Sequence, residues 1–343
     1  MLNEKSAETI LTLFGVSDHI QNVLCLEESG QGSNYRGIFC IKTSSEALVC
    51  RICGDESCPG WLMERQARFS NLLRINGVPT AQMLKADKHL CTNIQLEGVE
   101  YHVSLEEYIG TDLKQVNLLI FWEFGSLIGQ MHRISQAYSA KIGISYVAFS
   151  LQTGKARFSR ILEKATPAFV DEDWLHRLAL MHDKLVETLV PIWNTLPAGA
   201  VHGDLGIYNN LMQTKYGLGI IDFNRSGDEV FLGDALSAFY ASVHKLSWQE
   251  RLSAISKDEA LHVFLSGYGS QRILTTVETE YYPLVAALFD GLFYCKSAIE
   301  LWNIGDWNGA VKNMRMGDMH FDPDMHAVPQ YRLEGCKYDD TAN

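Results

Sequence analysis

The sequence predicts an α+β protein in which a small β-rich N-terminal lobe and a larger, mainly helical C-terminal lobe face each other across a cleft. Three observations carry this expectation. A chain of 343 residues, 47% hydrophobic and 20% charged, can bury the cores of two lobes. Its N-terminal third reads as strands around one helix, whereas later segments carry apolar residues at three- and four-residue intervals. Two short apolar runs, 198–201 and 217–221, each lead towards a carboxylate, as strands that project groups into a cleft do.

In chain order, residues 22–28, 35–43 and 46–53 read as strands, the last two joined by Ser44-Ser45 as a hairpin. Between the first two lies the turn Ser29-Gly30-Gln31-Gly32-Ser33-Asn34, whose backbone N–H groups can approach a phosphate closely. Arg51 lies mid-strand among apolar residues, where a cation needs an anionic partner. A helix is expected over 59–75, with Pro59 in its first turn and Gly77 just past its end. Leu62, Phe69 and Leu73 form its apolar stripe; Gln66 shares that stripe and Glu64 falls nearly opposite. A second helix spans about 171–194, capped by Asp171, with Trp174, Leu178, Met181, Leu185, Leu189 and Ile192 on one face. The final stretch of the chain gives helical periodicity only.

The chemistry is concentrated in V-H-G-D-L-G-I-Y-N-N-L-M and the G-I-I-D-F that follows. Asn209 comes five residues after Asp204, and Asp222 thirteen after Asn209. Phosphoryl transfer needs one carboxylate to take or orient the proton of the attacking hydroxyl. It also needs an amide oxygen and a second carboxylate to hold Mg²⁺ against the nucleotide's phosphates. Either aspartate alone reads as an ordinary strand-end carboxylate; the spaced set does not.

This order resembles the protein-kinase segment H-R-D-x-x-x-x-N followed by D-F-G. The departures, His202-Gly203-Asp204 and Asp222-Phe223-Asn224, resemble the aminoglycoside phosphotransferase/choline kinase superfamily, small-molecule kinases with the protein-kinase fold. The resemblance spans about residues 22 to 240 and is strongest over 198–240. It implies a protein-kinase-like two-lobe fold, with a nucleotide-binding lobe over 1–107 and a catalytic and substrate-binding lobe over 108–343. Asp204 is then the catalytic base, and Asn209 and Asp222 are the Mg²⁺ ligands. Ser29, Gly30, Gly32 and Ser33 cover the nucleotide, Arg51 contacts its phosphates, and the main chain of Glu107, Tyr108 and Ile109 receives the base. Where the family has a helix glutamate to pair with the strand cation, this chain offers Gln66, or Glu64 if a small insertion turns it inward. His202 and His132 have structural counterparts. Asp234, in Gly227-Asp228-Glu229-Val230-Phe231-Leu232-Gly233-Asp234, is expected to open the next helix and tie it to the catalytic loop.

The implied activity is transfer of the γ-phosphate of ATP (or GTP) to a hydroxyl of an amino-alcohol or aminoglycoside-like acceptor. The alternatives are a bacterial protein Ser/Thr kinase of the same superfamily and a nucleotide-binding pseudokinase that regulates. The net charge of −12 argues against nucleic acid and favours a cationic acceptor. No apolar run approaches the roughly 18–20 residues that span a bilayer, so no membrane partner is expected. The N-terminus lacks a signal-peptide pattern and eight cysteines are spread along the chain, which points to the reducing cytoplasm. Helical spacing would put Trp302 and Asp306 on one face, near Glu300, as a cage for an amine. Two metal signals are discounted. Cys50 and Cys53 fall on opposite faces of a strand, and Pro323 breaks the alternation of His320, Asp322, Asp324 and His326.

Overall fold

The computed structural model describes residues 2–143, 172–248 and 255–327. The expected cap Asp171 lies outside them. The chain opens with helix α1 (Glu4–Leu13), which sequence reading did not anticipate. Its signal is local: Asn3 accepts a hydrogen bond from the Ser6 N–H, and Ala7, Ile10 and Leu11 bury one face. Strands β1 (Ile20–Ser29), β2 (Arg36–Thr43) and β3 (Ala47–Cys53) follow, then helix α2 (Gly60–Ile75), β4 (Cys91–Leu96) and β5 (Val99–Glu107).

These strands form one antiparallel sheet in the order β1-β2-β3-β5-β4. The Ser44-Ser45 hairpin is present, with the Thr43 N–H on the Glu46 carbonyl at 2.8 Å. Arg51 pairs with Ile38 on one side and Ser104 on the other, so it occupies the middle of the sheet. β4 was not foreseen, because Cys91–Leu96 carries little period-two alternation and is mostly half-exposed.

After the two-residue β6 (Thr111–Asp112) the chain becomes mainly helical: α3 (Leu118–Ala137) and α4 (Glu172–Trp193), then α5 (Phe231–Trp248), α6 (Lys257–Gly269), α7 (Thr276–Asn303) and α8 (Trp307–His320). α4 buries Leu178, Leu185 and Leu189, the expected stripe. Short strands interrupt the helices at the cleft: β7 (Ala198–Val201) pairs with β10 (Gly227–Val230), and β8 (Leu211–Thr214) lies between β6 and β9 (Gly217–Ile220). The larger core gathers Phe121, Phe124, Phe231, Phe239, Phe264 and Phe289 from the helices and reaches α2. A second core lies between α1 and the sheet, around Phe39, Ile41, Ile52 and Val103. The two parts are stitched at the cleft, where the Ile220 N–H donates to the Pro79 carbonyl at 2.8 Å. No helix among the described residues is long and apolar enough to cross a membrane.

Candidate active site

The loop from His202 to Asn210 is fixed by what lies behind it. Leu205 and Ile207 are buried as anchors, and the Ile207 N–H donates to Ser242 Oγ at 3.0 Å. Gly203 has φ +83°, a left-handed turn that swings the chain at the end of β7. Its N–H donates to Asp234 Oδ1 at 3.1 Å, while Asp234 Oδ2 meets His132 Nε2 at 3.0 Å. His132 Nδ1 faces the Tyr268 hydroxyl at 3.0 Å, and Arg272 donates to that hydroxyl and, bidentately, to Glu278. Burial holds His132 below its ordinary value, so it is a neutral link in this chain of bonds. Asp234 thus ties α5 to the loop, but it sits inside the first turn of α5 and not at the helix cap expected from the sequence.

His202 is fully buried. Its Nε2 donates to the Ile221 carbonyl at 2.9 Å and its Nδ1 accepts from the Asp204 N–H at 3.4 Å. The imidazole therefore clips the 202–210 loop to the strand that delivers Asp222. Asp222 has φ +64° and ψ +65°, a left-handed conformation that costs a non-glycine residue energy. Phe223 beside it packs edge-on to Phe69 of α2 and against the His202 ring.

The two open carboxylates face different cavities. One cavity, of about 270 Å³, lies under the sheet and is lined by Ile38, Val49, Arg51, Glu106, Asn209 and Asp222, with Glu107, Tyr108 and Ile109 at its edge. The other, of about 130 Å³, is lined by Asp204, Tyr208, Asn209, Lys245, Lys296 and Glu300. Asn209 lines both. Asp204 and Asn209 are exposed, and each touches a cation: Arg225 Nε lies 3.3 Å from Asp204 Oδ2, and Lys245 Nζ donates to Asn209 Oδ1 at 2.7 Å. The Asp222 carboxylate accepts no hydrogen bond among the described residues.

Around Arg51 the helix contributes an amide, the first of the two alternatives the sequence left open. Gln66 is the residue on α2 that turns inward: its Oε1 accepts from Arg51 Nη2 at 3.3 Å, and its Nε2 donates to the Asn224 and Ser226 carbonyls at 2.9 and 3.1 Å. Gln66 is fully buried and does not line the cavity, so it acts on the cavity only through Arg51. Glu64 is occupied elsewhere, accepting from the Leu90 and Cys91 N–H groups and pairing with Arg68. Burial disfavours the charge on Arg51, but Cys58, Cys53, Asp222 and Glu106 outweigh it and hold the guanidinium above its ordinary value. Glu106 was not foreseen. Its acid is pushed up to about 7, chiefly by burial, with Arg51 opposing and Asp222 adding. Only the register shows that it faces the same cavity as Arg51: Ser104 pairs with Arg51, and Glu106 lies two residues on.

Some expected site residues do not come together. Ser29, Gly30 and Gly32 line a separate depression with Tyr35, Leu96 and Tyr101. The tip is tied to the segment after β3, where the Ser33 carbonyl accepts from the Glu56 and Ser57 N–H groups at 2.9 and 3.2 Å. Glu300 does line the cavity of Asp204, 4.0 Å from Lys296 on the same helix. Trp302 and Asp306 do not line it. α7 ends at Asn303, so the helical spacing that would align them is broken, and Asp306 caps α8 by accepting from the Gly309 N–H at 2.9 Å. Of the discounted C-terminal metal signal, His320 and His326 gather with Asp290, while Asp322 caps a short turn. Lys257 Nζ already lies 2.6 Å from that Asp290 carboxylate, and His244 2.9 Å.

No protein-family model and no curated protein matches the chain. Solved structures match its fold. The amicoumacin kinase hAmiN, in complex with AMP-PNP, Ca²⁺ and Ami, superposes with a TM-score of 0.63 at 14% identity, covering 95% of both chains. A microcompartment-associated aminopropanol kinase gives 0.64 at 18% identity, covering 93% of this chain and 95% of its own. Choline kinase LicA from Streptococcus pneumoniae gives 0.51 at 15% identity, with coverages of 93% and 98%. The chain therefore has the fold of these solved kinases.

Proposed function

We propose that the chain is a small-molecule kinase that transfers the γ-phosphate of ATP (or GTP) to a hydroxyl of an amine-bearing acceptor. The observation that carries this reading is the pair of cavities that meet at Asn209. The sheet-side cavity, with Arg51, Asp222 and the Glu107–Ile109 edge, takes the nucleotide; the helix-side cavity, with Asp204 and Glu300, takes the acceptor. The lobe boundary falls between Glu107 and Tyr108, at that edge.

Asp204 is the one carboxylate of the loop that is exposed to the acceptor cavity, so it accepts the hydroxyl proton as the bond to phosphorus forms. Arg51 meets the phosphates from the sheet, with Gln66 fixing its guanidinium against the loop after Asp222. Asn209 and Asp222 offer oxygen donors of the kind Mg²⁺ takes. The set fits such an ion, since no donor among the described residues reaches the Asp222 carboxylate and Asn209 Oδ1 already holds an ammonium. A bound Mg²⁺ would neutralise phosphate charge and orient the γ-phosphoryl group. Aminopropanol kinase and choline kinase are named for amino alcohols, and Glu300 in the acceptor cavity supplies a carboxylate that suits an amine.

The test is calorimetric titration of ATP and GTP with and without Mg²⁺, followed by a coupled assay over amino alcohols, aminoglycosides and neutral polyols. Metal-dependent nucleotide binding and phosphorylation of an amine-bearing acceptor are expected. Nucleotide binding that ignores the metal, with no acceptor phosphorylated, would overturn the reading.

A further inference from the structure

Among the described residues, Lys245 is the cation bonded to Asn209, a proposed metal ligand. It projects from α5 into the acceptor cavity, and its Nζ donates to Asn209 Oδ1 at 2.7 Å, a charge-assisted bond. The side chain is exposed, and its Nζ lies 5.9 Å from the Tyr208 ring. An amide oxygen that accepts an ammonium can accept a divalent cation, but the two cations repel when they share it. Lys245 is tethered on the acceptor side of Asn209, so an ammonium released there stays beside Asp204, where the phosphoryl group must cross between the cavities.

We infer that Lys245 is a second phosphoryl-binding cation, held on Asn209 in the metal-free protein and released by the metal to the oxygens of the group in transfer. This rests on the kinase reading and adds a residue to it. In the step itself, the bond between the γ-phosphorus and the β–γ bridging oxygen breaks and the nucleoside diphosphate leaves with that electron pair. A new bond forms from the acceptor oxygen to phosphorus, and the acceptor's proton passes to Asp204. The charge on the three peripheral oxygens persists throughout and needs cations on more than one side. Arg51 approaches from the sheet and Lys245 from the helices. Arg225 is not equivalent, because its guanidinium is on the base, Asp204.

The experiment uses the full chain, with AMP-PNP for binding and ATP with water as acceptor for turnover. In Lys245→Met, Mg²⁺ titrated into the AMP-PNP complex should bind about fivefold tighter or more, since its competitor is gone. Metal-free AMP-PNP binding and the melting temperature should hold. At saturating Mg²⁺, ATP hydrolysis should fall by at least about tenfold, with Lys245→Arg recovering part of it. A merely structural lysine would not tighten metal while slowing turnover. Metal affinity that is unchanged or weaker, or hydrolysis within about twofold of wild type, overturns the inference and leaves the kinase reading standing. Wild-type protein that shows no metal-dependent AMP-PNP binding overturns both.

Discussion

Asp204 and Asp234 belong to one catalytic segment and face opposite ways. Asp204 has a side chain 43% exposed and a single pairing, to an Arg225 that is itself 44% exposed. Asp234 is 3% exposed, and both its oxygens are engaged, by the Gly203 N–H and by His132. The same contrast separates Asp222, which has no hydrogen-bond donor among the described residues, from Asp290, which His244, Lys257 and His320 surround. Saturation, and not residue type, divides the carboxylates that hold the loop from those left open for chemistry. The back of the loop is rigid so that its front can stay incomplete.

The contrast breaks most visibly at Asp204. Asp204→Asn should lower kcat by about two to four orders of magnitude, the usual worth of a general base, with little change in melting temperature or nucleotide affinity. Near-wild-type turnover on the best acceptor would show that the open carboxylate is idle. Asp234→Ala should do the reverse. It strips a buried imidazole and a buried N–H of their partner, so chemical denaturation should report a loss of about 3–5 kcal/mol. A loss below about 1 kcal/mol would mean that the brace is not one.

Asp222 sharpens the comparison because it combines openness with strain. Asp222→Ala should weaken Mg²⁺-dependent nucleotide binding by at least about tenfold. The metal-free melting temperature should change little, because the attraction of Asp222 to Arg51 is offset by its repulsion from Glu106. If Asp222 were a cap, its loss would instead cost about 1 kcal/mol of metal-free stability.

The division between these regions was only half legible in the sequence. The spacing of Asp204, Asn209 and Asp222 is local, fixed by one loop and one hairpin, and so can be read from the chain. Arg51 was legible because a cation among apolar strand residues is out of place. Glu106, Lys245 and the Gln66 bridge to Asn224 were not, since each depends on register or packing between segments far apart. At the Ser29–Ser33 turn the composition suits a phosphate, while the bonds from Glu56 and Ser57 to Ser33 join segments that no local pattern connects. The Trp302/Asp306 face failed because the helix stopped at Asn303, where nothing marks its end until Gly305.

Glu106 supplies a pH test of how tightly charge is confined on the nucleotide side. Its folded value of about 7 lies above the ordinary carboxylate range, so the native state binds a proton that the unfolded chain has lost. That contribution is fully present below the unfolded value and is lost as pH rises through 7. Metal-free wild type should therefore lose about 1–2 kcal/mol relative to Glu106→Gln between pH 5 and pH 8. Parallel stability curves for the two proteins would show that the Glu106 acid is no more costly to ionise folded than unfolded.

The smallest effects separate two acidic residues that sequence grouped together. Glu300 lines the acceptor cavity and is half-exposed, so Glu300→Gln should leave the melting temperature alone and raise KM for an amine-bearing acceptor several-fold. That increase should shrink as salt rises, because screening already weakens the same attraction in wild type. Asp306 accepts from the Gly309 N–H at the start of α8, so Asp306→Ala should cost about 1 kcal/mol in stability and leave KM unchanged. The pair is diagnostic because both substitutions remove one negative charge from the same end of α7. A general electrostatic attraction for the acceptor would raise KM in both, whereas a direct contact raises it in Glu300→Gln alone. Equal KM increases would therefore remove Glu300 from the acceptor site and reassign the effect to the charge of the whole face.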